Sequence, residues 1–158
     1  CQDVKAEFTL NLKIDLEARS NESNSSVFVR LKKTDGSGTY YKDGLQANSS
    51  GEINSIKFAG ITAGTYKVYV KPQNYLSRVV EVTFAADETK TVSMGTFLAG
   101  DLSDQSPNWI MSGDYTEFIN HYAQSGSNIN ADFNLDGVVN SGDYSIFLRN
   151  YYKNGESD

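Results

Sequence analysis

The sequence predicts a mainly-β chain: an antiparallel seven-stranded β-sandwich over residues 4–99, then a small α-helical domain of two loop-helix repeats over residues 100–155. Three observations predict it. Short stretches of alternating apolar and polar residues recur about every 8 to 12 positions through the first part of the chain, as half-buried strands joined by turns do. That alternation stops at Leu98-Ala99-Gly100. Beyond it, SGDYTEFINHYAQSG (Ser112 to Gly126) and SGDYSIFLRNYYKNG (Ser141 to Gly155) repeat each other at an offset of 29 residues. Residues 1–3 and 156–158 read as terminal tails.

The first strand is FTLNLKIDL, where Phe8, Leu10, Leu12, Ile14 and Leu16 alternate with polar residues without a slip. Its period of two buries one face. The polar stretch ARSNESNSS follows, then a strand at Val27 to Lys32 and a turn at Asp35-Gly36. A short strand near Thr39 to Tyr41 meets a turn expected at Asp43-Gly44, and Ser50-Gly51 leads into a strand at Glu52 to Phe58. TYKVYVK after Gly64, Arg78 to Phe84 and Thr89 to Phe97 complete the set. In each repeat that follows, apolar residues fall at i, i+3, i+4 and i+7: Tyr115, Phe118, Ile119, Tyr122, and Tyr144, Phe147, Leu148, Tyr151. Each is therefore a short amphipathic helix.

The loop before the second helix, DFNLDGVVNSGD, has the oxygen order of a calcium-binding EF-hand loop. Asp132, Asn134, Asp136, Asn140 and Asp143 stand at positions 1, 3, 5, 9 and 12, with Val138 offering its carbonyl at position 7 and Gly137 at position 6. Ca²⁺ collects six to eight hard oxygens in this order, and the glycine permits the sharp turn. The first copy, DLSDQSPNWIMSGD, is two residues longer and lacks the glycine. Asp101, Ser103 and Asp114 keep positions 1, 3 and 12, and Trp109 takes the carbonyl position. Gln105, or else Asp104, must turn inward for the middle oxygen. Two Ca²⁺ ions are expected, the Asp132–Asp143 site being the firmer and the Asp101–Asp114 site the weaker. Helices this short are marginal alone, so pinning each helix start through Asp114 and Asp143 would order the domain.

Composition narrows the function. A net charge of -6 argues against nucleic-acid or anionic-membrane binding. No run approaches the roughly 18 apolar residues of a transmembrane helix. The single cysteine, Cys1, excludes an internal disulfide. The single histidine, His121, has no second histidine or cysteine to work with. No phosphate loop or nucleotide fingerprint is present, so no enzyme is expected. Sequons at Asn21, Asn24 and Asn48 suit an exported protein.

Two stretches carry family resemblances. GEINSIKFAGITAGTYKVYVKPQNYL resembles carboxypeptidase-regulatory or transthyretin-like sandwiches of the broader Ig-like architecture. Related collagen-adhesin sandwiches carry a Lys–Asn crosslink; Lys5 and Lys13 lie near the first strand, but TKTVSMGTF has no Asn, so none is expected. Residues 100–153 resemble a type I dockerin, a duplicated loop-helix (F-hand, half an EF-hand) module. That resemblance implies two Ca²⁺ ions and a cohesin partner touching Ser112, Gly113, Ile119 and Asn120, and Ser141, Gly142, Leu148 and Arg149. Dockerins commonly have Ser-Thr where both copies here have Ser-Gly. Cys1-Gln2 with its polar spacer resembles the start of a mature bacterial lipoprotein, which implies a lipid anchor. The expected function is an exported, non-enzymatic calcium-binding protein of extracellular or cell-surface assembly, docking on a cohesin-like partner or on copies of itself. Strand addition of residues 8–16 is one route to self-association. The alternative is a carbohydrate-binding module with Tyr40, Tyr41, Tyr69 and Tyr75 as its platform.

Overall fold

The computed structural model describes residues 6–158, so the expectations for Cys1 and Lys5 lie outside the described residues. Strands β1 (Ala6–Leu16), β2 (Ser26–Lys33), β3 (Thr39–Gln46), β4 (Glu52–Ile61), β5 (Gly64–Pro72), β6 (Asn74–Tyr75), β7 (Arg78–Phe84), β8 (Thr89–Phe97) and β9 (Ala99–Asp101) precede helices α1 (Ser112–His121) and α2 (Ser141–Asn150). A three-stranded sheet, β4-β1-β8, and a four-stranded sheet, β3-β2-β5-β7, form the sandwich. The alternation in β1 has the expected result: Phe8, Leu10, Leu12, Ile14 and Leu16 are all buried. They share one core with Val27, Val29 and Leu31 of β2 and Tyr66, Val68 and Val70 of β5. Phe8 and Phe84 stack across it with ring centroids 4.7 Å apart.

Three expectations need correction. The sandwich is not wholly antiparallel, because β8 runs parallel to β1. The chain leaves β7 in one sheet and enters β8 in the other, so β8 is not bound to the direction of a hairpin partner. Second, β1 is the middle strand of its sheet, paired with β4 on one side and β8 on the other. Donating it to a neighbour would break two ladders and expose the core, so the fold gives strand addition no support. Third, Asp43-Gly44 is no turn: it lies within β3, where the register against β2 shifts between Val27 and Val29. The extra residue is taken up as a bulge with Gly44 at φ +65°. Lys13, considered for a crosslink, donates instead to the Ser50 carbonyl.

The two helices are built alike. Each starts after an extended residue, Met111 or Asn140, whose N–H donates to the aspartate three residues on, Asp114 or Asp143. Each ends at a tyrosine near φ −58°, Tyr122 at −59° and Tyr151 at −57°, followed by a left-handed residue, Ala123 or Tyr152. The end of each helix then pairs with the other repeat's loop. Ala123 N donates to Val139 O and Val139 N to Gln124 O; Tyr152 N donates to Ile110 O and Ile110 N to Lys153 O. Val139 and Ile110 occupy the same loop position, so the two halves exchange equivalent contacts.

The repeats are fixed to the sandwich along a polar seam. β9 pairs with β6. Asn150, fully buried, donates through Nδ2 to Ala99 O at 2.9 Å and to Glu17 Oε2 at 2.5 Å. Residues 156–158 are no free tail: Ser77 Oγ donates to Glu156 O at 2.6 Å, and Arg30 grips both oxygens of Asp158 at 2.8 and 2.5 Å. Replacing Asn150 by alanine strands the Ala99 carbonyl and takes one donor from Glu17, which keeps Ala99 N and Arg149, and should lower stability by about 1–3 kcal/mol in urea unfolding. The exposed partner of Glu17, Arg149, should matter by less than about 1 kcal/mol.

The Arg30 hydrogen bond holds the Asp158 carboxyl below its ordinary value of 3.8. A depressed carboxyl contributes stability that is present above the unfolded value and lost as the pH falls through the folded one. Asp158→Asn should therefore shrink the loss of stability on acidification below about pH 4, read from melting temperatures across an acid series, while lowering stability at neutral pH.

Candidate metal centre

In the second loop, Asp143 sits in the first turn of α2 with no exposure. Its Oδ1 accepts from Phe133 N at 2.8 Å and Asn134 N at 3.3 Å, and its Oδ2 from Asn140 N at 3.0 Å. Asp132 is also buried; its Oδ2 accepts from Gly137 N at 2.9 Å, while its Oδ1 has no hydrogen-bonding partner in the protein. Asp132, Asp136 and Asp143 offer carboxylate oxygens that lie within 4.8 Å of one another. Asn134 Oδ1 accepts from Asp136 N at 2.9 Å, folding the chain back over these oxygens. Hydrogen bonds from Val138 N, then Asn134 and Asn140, hold Asp136 below the ordinary carboxylate value. Gly137 turns the chain at φ +87°, a conformation that a Cβ disfavours. Three convergent carboxylates and an orphaned buried oxygen suit a hard divalent cation. Asn140 and Val138 depart from free ligands: Asn140 Oδ1 caps α2 through Gly142 N at 2.7 Å, and its Nδ2 donates to Val138 O at 3.2 Å.

The first loop repeats this scaffold with fewer charges. Asp114 Oδ1 accepts from Leu102 N and Ser103 N, each at 2.8 Å, and Oδ2 from Met111 N at 2.7 Å. Asp101 Oδ2 accepts from Asn108 N at 3.2 Å, and Asp101 Oδ1 is again buried without a partner. Gln105 N donates to Ser103 Oγ at 3.2 Å, as Asp136 N does to Asn134 in the other loop. Gln105 thus takes the middle place by its backbone bond and by its Oε1, which lies with Ser103 Oγ over Gly113, although it is exposed, as Asp104 is. The two extra residues are Ser106 and Pro107. They bring Asn108 to the place of Gly137, where it takes φ +65° and replaces the glycine the sequence lacks. Asparagine is among the few residues that enter this region at small cost. Trp109, at the carbonyl position, leaves its ring about half exposed, 48%. Burial pushes the Asp114 carboxyl up, opposed by its three backbone donors, with Asp101 adding repulsion.

The residues expected to meet a partner lie on the surface at the helix starts and along the outer helix faces. Ser112, Asn120, Ser141, Gly142, Ile119 and Leu148 are exposed, and Gly113 is half-buried beneath Gln105. Arg149 differs: it is committed to Glu17 of the sandwich at 2.7 Å. Leu148 joins Tyr115, Tyr144 and Tyr151 around a recess of about 240 Å³. The tyrosine platform does not form, since Tyr75 is fully buried and Tyr40 packs beside Tyr66 under the sheet. His121 spends Nδ1 on Glu117 O, within its own helix, at 2.7 Å. Two features of the site escaped sequence reasoning. Ile110 and Val139, which carry the exchanged pairing, were marked only by their shared place in the repeat. Lys71, whose Nζ lies 2.6 Å from Asp101 Oδ2, carried no signal at all.

The fold and this geometry define a β-sandwich protein with a duplicated acidic loop-helix segment. Among solved structures the chain is similar to a chain of a type II cohesin–X-dockerin complex from Acetivibrio cellulolyticus carrying an N-terminal interface mutation. The TM-score is 0.66 at 19% identity, over 94% of this chain and 97% of that one. The C-terminal interface mutant of the same complex gives 0.64 at 18% identity, with the same coverage. At this identity the likeness is one of fold. No family model and no curated protein matches the chain. Residues up to Phe97 make up less than two-thirds of the chain, so a match over 94% must run on into the loop-helix repeats. No helix among the described residues is long and apolar enough to cross a membrane.

Proposed function

We propose that the chain is a non-enzymatic docking protein of an extracellular or cell-surface assembly, in which Ca²⁺ in both loops holds α1 and α2 in the pose that a cohesin-like partner recognises. The observation that carries it is the pair of orphaned oxygens, Asp132 Oδ1 and Asp101 Oδ1, one at the same position of each loop. A buried carboxylate oxygen without a donor is costly, and a cation supplies what is missing. Asp132, Asn134, Asp136 and Asp143 would hold the ion of the second loop, with Val138 and Asn140 at its edge. Asp101, Ser103, Gln105 and Asp114 would hold that of the first, with the Trp109 carbonyl. The ion's contribution is charge neutralisation and the fixing of each loop to its helix. In the partner surface, Ile119 and Leu148 are related by the repeat and stay 45% and 50% exposed, as apolar anchors for a partner. The length of the structural match and the loop-helix repeats favour the X-dockerin side of such a complex.

Calorimetric titration of the whole chain with a type II cohesin module, in Ca²⁺ and then in chelator, tests this reading. Binding in Ca²⁺ that disappears on chelation and weakens at least about tenfold in an Ile119→Asp, Leu148→Asp double variant is expected. Binding unaffected by chelation, or no binding to any cohesin tried, would count against it. A carbohydrate reading keeps one observation: Tyr41, Phe28 and Tyr69 line up across β3, β2 and β5, with Tyr41 70% exposed. Calcium-independent retention on polysaccharide, lost in Tyr41→Ala, would favour it.

A further inference from the structure

We infer that Lys71 of the sandwich sets the two loops apart, making the first loop the weaker and later-filled cation site. This rests on the calcium reading above. Each loop presents the same oxygen to an ion, the buried and unpartnered Oδ1 of its first aspartate. The other oxygen is treated differently in the two loops. Asp132 Oδ2 receives only the neutral N–H of Gly137. Asp101 Oδ2 receives Asn108 N and, at 2.6 Å, the ammonium of Lys71.

Lys71 is not a loose surface charge that an arriving ion could push aside. Its Nζ also donates to Tyr75 O at 2.5 Å, and its side chain is only 21% exposed. Tyr75 is itself fully buried and stands in β6, the strand that pairs with β9 and Asp101. The ammonium is therefore built into the join between sandwich and repeats. The second loop has three carboxylates, and none of them pairs with a lysine or arginine among the described residues. The first has two carboxylates at the matching places, Asp101 and Asp114, with the neutral Ser103 and Gln105, a third and exposed one, Asp104, outside those places, and a fixed positive charge. Calcium affinity follows ligand charge. A monovalent cation and a divalent one on opposite oxygens of one carboxylate repel enough to weaken binding by about tenfold even in a water-like dielectric, and by more in a drier one.

The same contact explains how the first loop keeps its shape with so little charge of its own. Lys71 neutralises Asp101, and Asn108 ties the inserted turn to the sandwich by accepting from Ser77 N at 2.8 Å. The first loop is thus tied to the sandwich by side-chain contacts, whereas the second is held by its own backbone donors to Asp143 and Asp132.

Calcium titration of the chelated full-length chain, followed by calorimetry and by amide NMR, tests this. In the wild type, the Gly137 resonance should shift at lower Ca²⁺ than that of Asn108, with midpoints at least about tenfold apart. Lys71→Met should close that gap by tightening the weaker step alone, and Lys71→Arg, which keeps the charge, should leave it open. If the wild type takes up one ion only, Lys71→Met should reveal a second. Loops that fill together or in the reverse order, or a gap unchanged in Lys71→Met, would overturn the inference. Should Lys71→Met fail to fold, the order of filling in the wild type decides alone. Absence of any calcium response in either loop would remove the calcium reading itself, and this inference with it, a result distinct from two equal sites.

Discussion

Replacing Asp143 by alanine should cost about 3–6 kcal/mol, because three backbone donors lose their acceptor at once inside the protein. Phe133 N, Asn134 N and Asn140 N all point at this one carboxylate, and the side chain has no exposure to let water take its place. The loss has two separable parts. In chelator only the hydrogen bonds should be lost, whereas in Ca²⁺ the cation's proposed attachment to α2 should go as well. Asp143→Asn keeps one acceptor oxygen and should retain part of the first and little of the second. Urea unfolding of both variants, with and without Ca²⁺, reads the two parts. If Asp143→Ala unfolds at the same urea concentration as the wild type in chelator, the carboxylate is not the scaffold of the loop.

Phe147→Ala should destabilise the chain by about 3–5 kcal/mol, as expected for removing a buried ring. Phe147 is fully buried, with its ring 5.3 Å from Phe118, 5.7 Å from Tyr151 and 6.2 Å from Tyr115. It also packs towards Gly100 in β9, where a Cβ would lie 3.4 Å from the ring and 2.9 Å from Ile110. The ring therefore belongs to both the helix pair and the join to the sandwich. The repeats and the sandwich share one continuous core. A single unfolding transition is the expected response, shifted as a whole in the variant. Two separated transitions in Phe147→Ala, with only the first moved, would show that the helices melt independently.

The parts of this structure that the sequence reveals are those fixed by local periodicity. β1 declares its buried face because every second residue is apolar, and each helix does so through its i, i+3, i+4 spacing. Alternation assigns a face but no direction, so the parallel pairing of β1 with β8 was invisible. The second loop was legible because its oxygens lie at fixed positions in one short stretch. In the first, counting from the two ends placed Asp101, Ser103, Trp109 and Asp114 but left the middle oxygen open between Gln105 and Asp104. The two extra residues fit several alignments on paper, and backbone geometry selects Ser106-Pro107 by placing Asn108 in the left-handed turn. The join escaped for another reason. Asn150 with Glu17, Lys71 with Asp101 and Arg30 with Asp158 are polar pairs far apart in sequence, and their residue types look like ordinary surface until the fold brings them together.

The most direct test of the calcium-ordered docking domain is the melting temperature of the whole chain in chelator and at rising free Ca²⁺, with Asp132→Ala alongside. One ion at about 100 times its dissociation constant adds roughly 2.7 kcal/mol. For a chain of this length that raises the melting temperature by about 5–10 °C. The wild type should show this rise and should keep gaining with further Ca²⁺, whereas Asp132→Ala should lose most of it. Identical melting in chelator and in millimolar Ca²⁺ would contradict the account.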